Sequence, residues 1–540
     1  MNNFKILDCT LRDGGYINDW NFGLWNIVSM LSRLTKANID IVECGFLEDS
    51  EYHADCSFFS NVDQIEVLLP KDKGHTQYVA MTRYGYLDLE HLEPYNGRSI
   101  NGIRVTFHED EVKQAISYCR QIKAKGYKVY VQPVGTTSYS DKYLLELIEM
   151  VNELGPFAFY IVDTLGLMRS NDLLRMFYLL DNNLDENIVV GFHSHNNLQL
   201  SFSNAQVLAD VHTTRTIIVD SSVYGMGRGA GNLNTELIAQ HLNIVKGSQY
   251  ATDYILEIVD ETINPLHEKY TWGYSVPYYL AAINNCHPNY ATYLMKRKTL
   301  TVKSISAILH SIAKDKRELY NTEYIAELYL QYQQHYVDDK EHIEQLNNLL
   351  LGRSVLIVAP GSSVHEATDK IRSYVEENNP VTISINFDGN GVLPDLYFYS
   401  NDKRFQKFME SRKHGLGSDQ TIVTSNIKTC ESNYRYRVNY SDYLNAQPLA
   451  NDNAALMLLA LLTKLNVKNV AIAGLDGFHA DASRHYFEDE LELSLDNESL
   501  QEMNTQITGA LREMYGKFEL TFLTPSLYQK HHHERRVAYT

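Results

Sequence analysis

The sequence predicts an α/β protein: an N-terminal (β/α)8, or TIM, barrel, a helical extension, and a C-terminal open Rossmann-like α/β unit. Three observations predict it. Eight short apolar runs alternate with amphipathic helical patterns over the first half of the chain, matching the eightfold barrel in count and, at about 245 residues, in length. Polar residues gather just after the first, seventh and eighth runs, which are neighbours only if the sheet closes. Apolar runs then resume at Ser354 after a stretch with helical spacing alone. At 540 residues the chain exceeds a single hydrophobic core. The expected division is 1–248 for the barrel, 249–352 for the helical region and 353–540 for the second α/β unit.

In chain order, the barrel strands are read at Phe4–Asp8, Ile39–Glu43, Gln77–Met81, Gly102–Thr106, Lys128–Gln132, Ala158–Val162, Asn187–Phe192 and Thr216–Asp220. Glu111–Lys125 and Asp141–Leu154 place apolar residues three and four apart, the spacing of a helix with one buried face. The alternative is an open doubly wound sheet, in which the first strand lies away from the seventh and eighth. Helical patterns return at Tyr254–Leu266, Val302–Lys314 and Glu323–Gln334. In the last unit, strands are read at Ser354–Ala359, Val381–Ile385, Leu396–Tyr399, Gln420–Thr424 and Val470–Gly474. A helix is read from near Val364 and an apolar one at Ala454–Leu465. The turn Pro360-Gly-Ser-Ser363 aims backbone N–H groups at a helix start, a natural anion site.

The stretch Gly191-Phe-His-Ser-His-Asn-Asn197 closes the seventh run. Strand side chains alternate faces, so His193 and His195 point the same way. Taken alone, a His-x-His pair is often two loop imidazoles satisfied by hydrogen bonds. Here Asp13 follows the first strand and Asn232 follows the eighth, and closure brings all four to one rim. Two imidazoles, a carboxylate and an amide oxygen suit a divalent cation, Mn²⁺ first, with Mg²⁺ or Zn²⁺ as alternatives. Arg12, Glu43, Arg104, Gln132 and Asp163 also sit at strand ends, each either an internal salt-bridge partner or a substrate contact. Arg12, beside Asp13, is best placed to hold a carboxylate and stabilise an enolate. In Gly225-Met-Gly-Arg-Gly-Ala-Gly231, Gly225 and Gly227 let the backbone approach an anion.

The composition is that of an ordinary globular protein, 44% hydrophobic and 21% charged. A net charge of −19 argues against a nucleic-acid surface or an anionic membrane surface. The N-terminal residues lead us to expect no signal segment, and the sequence shows no apolar run of about 20 residues. Six cysteines without Cys-x-x-Cys pairing read as reduced thiols of a cytoplasmic protein. A homo-oligomer is expected.

Asp8-x-Thr-Leu-Arg-Asp-Gly14, His193-x-His195 and Gly225-x-Gly…Gly-Asn232 together resemble the DRE-TIM metallolyase superfamily over about residues 1–290. The resemblance is nearest to the 4-hydroxy-2-oxoacid aldolases within a group that includes 3-hydroxy-3-methylglutaryl-CoA lyase. It implies a divalent metal on Asp13, His193, His195 and Asn232, Arg12 at an enolate, and carbon–carbon bond chemistry beside a carbonyl. Pyruvate or another 2-oxoacid and an aldehyde would be the substrates. Trp272-Gly-Tyr-Ser-Val-Pro-Tyr278 is similar to the aldolases' post-barrel segment and implies Tyr274 or Tyr278 near substrate. In those aldolases the post-barrel region also carries an interface with an acylating aldehyde dehydrogenase. One departure stands out: the aldolases carry a histidine base three residues after the ligand aspartate, where this chain has Tyr16, a phenol and a poor base at neutral pH.

Two other readings stay open, a Claisen-type enzyme on acyl-CoA and a non-catalytic barrel that scaffolds the C-terminal unit. The turn at Pro360, Asn386, Ser400-Asn401 and Gly474-Leu-Asp-Gly-Phe478 resembles sialyltransferase-like domains. That resemblance implies a nucleotide or nucleotide-sugar ligand, and the aldehyde would then be a sugar; a degenerate binding or assembly unit is the alternative. His531–His533 reads as a solvated tail.

Overall fold

A computed structural model describes residues 4–529 except 318, 390, 412–419, 429–433, 480–484 and 487–494. Cys430 and His531–His533 lie outside the described residues. The chain forms two compact units, Met1–Pro288 and Asn289–Thr540, so the helical stretch read at 249–352 is divided between them.

In the first unit the barrel strands are β1 (Phe4–Asp8), β2 (Ile41–Leu47), β3 (Gln77–Arg83), β4 (Gly102–Phe107), β5 (Lys128–Pro133), β6 (Ala158–Asp163), β7 (Val189–Ser194) and β8 (Ile217–Ser221). All pair in parallel with their neighbours, and β1 joins both β8 (Phe4 opposite Ile217) and β2 (Leu7 opposite Ile41), so the sheet is closed. The strands are buried almost throughout, as a parallel sheet covered on both faces must be. Alternation sets the two faces. Leu7, Ile41, Val79, Tyr130, Ala158, Tyr160, Val162, Val189 and Ile218 cluster inside the barrel. Their neighbours Ile6, Val42, Phe159, Ile161 and Val190 join the layer under the helices. The same count puts Glu43, Arg104, His193 and Asp220 on the inside. Gly191 also faces in, where a Cβ would run into the Tyr160 ring.

The helices follow their sequence patterns. The segment Asp141–Leu154 starts at Ser140, whose hydroxyl accepts the Tyr143 N–H at 3.2 Å, and stops at Gly155 with φ 54°. Its stripe Leu144, Leu147, Ile148, Val151 and Leu154 is buried, each side chain contributing about 1.5–3 kcal/mol of transfer free energy.

One buried cation holds a helix end to the barrel. Arg215 donates from Nε to Asp181 (2.9 Å), from Nη1 to the carbonyls of Asp185 (2.7 Å) and Ile188 (2.6 Å), and from Nη2 to those of Asp181 and Leu184 (both 3.0 Å). These carbonyls end the helix Ser170–Asn183 and lead into β7. Arg215→Ala is expected to destabilise this unit by about 3 kcal/mol, because it orphans buried carbonyls and a carboxylate together. The expected sign is an earlier transition in a thermal melt, of which Arg215→Lys recovers only part.

The second unit carries the helices Val302–Ser311, Thr322–Gln333 and Lys340–Leu350 before its sheet. The sheet strands are β9 (Val355–Val358), β10 (Val381–Ile385), β11 (Leu396–Tyr399), β12 (Thr421–Thr424), β13 (Tyr436–Val438), β14 (Asn469–Ala473) and β15 (Glu519–Phe522). Their order is β13-β12-β11-β10-β9-β14-β15, every described pairing is parallel, and the strand order reverses between β9 and β14. The helix Ala454–Lys464 is buried on nearly all sides, which is why its sequence is apolar without a polar stripe. The sequence pattern did not reveal β13 and β15. Both are edge strands, three and four residues long, and β15 alternates exposed with buried positions. Among the described residues no helix is long and apolar enough to cross a membrane.

Candidate metal centre

β1 hands the chain to a single helical turn, Thr10–Asp13. Asp8 fixes that turn: its Oδ1 accepts from the Thr10 N–H (3.0 Å) and its Oδ2 from the Thr235 hydroxyl (2.6 Å). Arg12 and Asp13 are thereby presented at the carboxyl rim, 4% and 1% exposed. On the far side of closure, β7 ends with His193 and His195 pointing inward, and an antiparallel bridge pairs His195 with Asn232.

The four residues meet. Ligand atoms of Asp13, His193 and His195 all lie within 4.8 Å of one another. Asp13 Oδ1 accepts from Arg12 Nη1 at 2.5 Å, and Oδ2 accepts from Asn232 Nδ2 at 2.6 Å. His195 Nδ1 stands 4.0 Å from Asp13 Oδ2. Both His195 Nδ1 and Asn232 Oδ1 are buried and have no hydrogen-bond partner among the described residues. Buried polar atoms without partners are costly. The free His195 nitrogen, converging with the Asp13 carboxylate and the His193 imidazole, fits a divalent cation, and Asn232, bonded to Asp13 through Nδ2, stands beside them.

The electrostatics prepare the same donors. Burial alone would raise the Asp13 carboxyl, but Arg12, then His195 and His193, hold it far below the usual carboxylate range. Burial pushes His195 down to about 3, so at neutral pH its imidazole is uncharged, as a metal ligand must be. His193 donates from Nδ1 to Asp220 Oδ2 at 3.0 Å, which leaves its other nitrogen for a metal and fixes the ring as outer carboxylates do in metal sites.

Behind the donors an ionic chain crosses the barrel interior. Arg12 Nε binds Glu43 Oε2 (2.8 Å), Glu43 Oε2 also takes Arg104 Nη1 (2.8 Å), and Arg104 Nη2 binds Asp220, which holds His193. With its amide oxygen turned inward, Gln132 accepts from Arg104 Nε at 3.0 Å. Arg104 lies over the Tyr160 ring, 4.9 Å from its centroid. Of the two readings open for Glu43 and Arg104, the contacts made are those of the internal salt bridge. Their fixed geometry positions Arg12 and His193.

Asp163 faces the other way. With Ala158, Tyr160 and Val162 inside, the next residue points outward, and its carboxylate accepts the N–H groups of Leu167 and Met168, both at 2.9 Å. It shapes a turn and does not reach toward the donors. Tyr16 stands at the rim, 44% exposed, its ring edge-on to Trp20 at 4.8 Å. Burial raises its phenol above the ordinary value despite Arg12. Tyr274 is 59% exposed, and neither it nor Tyr278 hydrogen-bonds to the donor set.

The glycine loop closes the site. Gly225, at φ 62°, adopts a left-handed backbone, and a Cβ on Gly227 would lie 2.7 Å from Asp13 Oδ2. Gly227→Ala is expected to push Asp13 or Asn232 aside and to weaken Mn²⁺ binding by about tenfold or more. Titration calorimetry reads this, with the far-UV spectrum unchanged.

Sequence reading passed over Asp220 and Arg228. Asp220 had a signal: a charge at an inward register position of an otherwise apolar strand. Arg228 had none beyond its place in the loop.

Residues 3–262, just under half of the chain, match the family model described as HMGL-like. A 4-hydroxy-2-oxovalerate aldolase of Pseudoalteromonas translucida is 24% identical over 288 residues, covering 50% of this chain and 81% of its own. The one from Geobacillus thermodenitrificans is 23% identical over 266 residues, covering 48% and 76%. Among solved structures, the HMG-CoA lyase of Brucella melitensis aligns at 13% identity over 50% of this chain and all of its own, with a TM-score of 0.39. The family match and the two aldolase likenesses support a lyase. Each of these likenesses spans about half of the chain, and the sialyltransferase-like resemblance of the second unit gains no support from them.

Proposed function

We propose that the HMGL-like domain of residues 3–262 is a divalent-metal-dependent aldolase that forms or cleaves a 4-hydroxy-2-oxoacid. The observation that carries this reading is the convergence of Asp13, His193 and His195, beside an Asn232 that bonds Asp13 through Nδ2 and whose Oδ1 has no hydrogen-bond partner among the described residues. A divalent ion held by these four, Mn²⁺ for preference, would supply Lewis acidity toward the carboxylate and keto oxygens of pyruvate.

The chain's own groups do the rest. Arg12 spends Nε on Glu43 and Nη1 on Asp13, and its buried Nη2 has no hydrogen-bond partner among the described residues. That N–H is free to donate to the oxygen on which charge develops as C3 of pyruvate loses a proton. The enolate carbon then bonds to the aldehyde carbon as the C=O π pair moves to oxygen, and the proton released from C3 to solvent is returned from solvent to that oxygen, which becomes the 4-hydroxyl; cleavage is the reverse. Tyr16, with its phenol raised and therefore neutral, is assigned as hydrogen-bond donor to that oxygen, not as base. Gly225 and Gly227 keep the loop close enough to wall the site.

Exchange of pyruvate methyl protons in deuterated water tests the reading. Exchange that requires Mn²⁺ and stops with chelator is expected. Metal-independent exchange, none at all, or thioester consumption in its place would overturn it.

For the second unit we infer a small-molecule site, with a nucleotide or nucleotide sugar as the ligand class. A cavity of about 350 Å³ lies beside β9 and β14, where the strand order reverses; Asn386, Asn401, Arg404, Asp476, Phe478 and Tyr528 are in its wall. Ligands of doubly wound sheets bind at that crevice. A thermal-shift panel of nucleotides and nucleotide sugars tests it, and no shift with any would sink it.

A further inference from the structure

Arg228 is the one residue of the glycine loop with a long charged side chain, and among the described residues no carboxylate pairs with it. It is half-buried, yet among the described residues it makes neither a hydrogen bond nor an ion pair through its side chain. Its guanidinium lies over the Tyr16 ring at 5.8 Å. The other groups that feel its charge are His195 and His287. Neither imidazole can neutralise the guanidinium, because a histidine side chain is either uncharged or itself a cation.

The arginine is not on a loose rim. The Gly231 N–H donates to the Arg228 carbonyl at 3.2 Å, the Ala230 N–H to Asn197 Oδ1 at 3.0 Å, and the Asn196 N–H to the Gly231 carbonyl at 2.8 Å. One residue earlier, Gly227 packs against Asp13. On the other side, the Tyr16 ring is braced by Trp20, whose indole N–H donates to the Arg12 carbonyl at 2.8 Å. A half-buried guanidinium on an anchored backbone, without a counter-charge among the described residues, suits a planar anion with two oxygens to offer.

We propose that Arg228 forms an anion subsite that reads the tail of the aldehyde, so that the second substrate carries a phosphate or carboxylate beyond its carbonyl. This rests on the aldolase reading above. With the carbonyl oxygen at the Tyr16 hydroxyl, the tail meets the guanidinium lying over the same ring.

Two measurements test the subsite. In the first, glycerol 3-phosphate is titrated calorimetrically into EDTA-treated protein, with glycerol as the neutral control. Wild type is expected to bind the phosphate at least about tenfold more tightly than Arg228→Gln, Arg228→Lys to keep part of the difference, and glycerol not to bind. In the second, glyceraldehyde 3-phosphate and succinate semialdehyde are compared with glyceraldehyde and butanal in the metal-loaded enzyme with pyruvate. The preference in kcat/KM for the anionic aldehydes is expected to fall about 10- to 100-fold in Arg228→Gln. Which anionic aldehyde loses more tells phosphate from carboxylate. Equal phosphate binding by wild type and Arg228→Gln, no binding by wild type, or an unchanged preference would each overturn the subsite. Absence of metal-dependent pyruvate exchange in wild type would overturn the aldolase reading instead, and the calorimetric comparison would still stand.

Discussion

His195→Ala is expected to leave a folded protein that no longer holds its metal. Bound Mn²⁺ should fall from about one per chain to below about a tenth, and metal-dependent deuterium exchange into pyruvate should fall by at least about 10³-fold, or roughly 4 kcal/mol of transition-state stabilisation. The stability side follows from a contact that is missing. His195 Nδ1 has no hydrogen-bond partner among the described residues, and the backbone bridge to Asn232 does not need the imidazole. Removing the ring therefore deletes a ligand without breaking a network. Asp13→Ala is a poorer probe, because it strips Arg12 of one of its two buried carboxylates. Asp220→Asn touches no metal and should weaken Mn²⁺ only about 10- to 100-fold, through the orientation of His193. Atomic absorption on dialysed protein and melting curves measured side by side decide the matter. Full metal content in His195→Ala would remove that residue from the site.

Arg12→Lys is the second large expectation. Lysine keeps the charge but replaces a planar fork by one ammonium, which cannot bind Glu43 and Asp13 and still aim an N–H at substrate. The turnover number with pyruvate is expected to fall by about 10²- to 10³-fold, while Mn²⁺ stays bound and KM changes little. That split separates an oxyanion donor from a structural tie. A residue that only supported Asp13 would lower metal affinity on replacement and leave turnover at saturating Mn²⁺ near wild type.

Local periodicity made much of this site legible. His193 and His195 share a face because strand side chains alternate, and Asp13, Arg12 and Asn232 could be placed by the strands they follow. The same alternation, applied one residue further, would have turned Asp163 outward and Asp220 inward. Both follow from Tyr160 and Ile218 lining the interior. The edge strands β13 and β15 escaped because three or four residues, half exposed, carry little pattern. Tyr274 and Tyr278 were named from family resemblance alone, and the structure gives neither a bond to the donors.

By itself, the sequence determined the eight barrel strands and most of the other strands and helices, which strand residues share a face, and that acids, imidazoles and an amide stand at strand ends. Such preferences act over a few residues and are written in a few residues. Only the tertiary structure decided that Asn232 and Asp13, 219 positions apart, share a hydrogen bond, that Asn232 Oδ1 has no hydrogen-bond partner among the described residues, and that Arg228 lies over Tyr16. Those contacts depend on how eight strands close on themselves, and no local preference encodes the distance between the two ends of a ring.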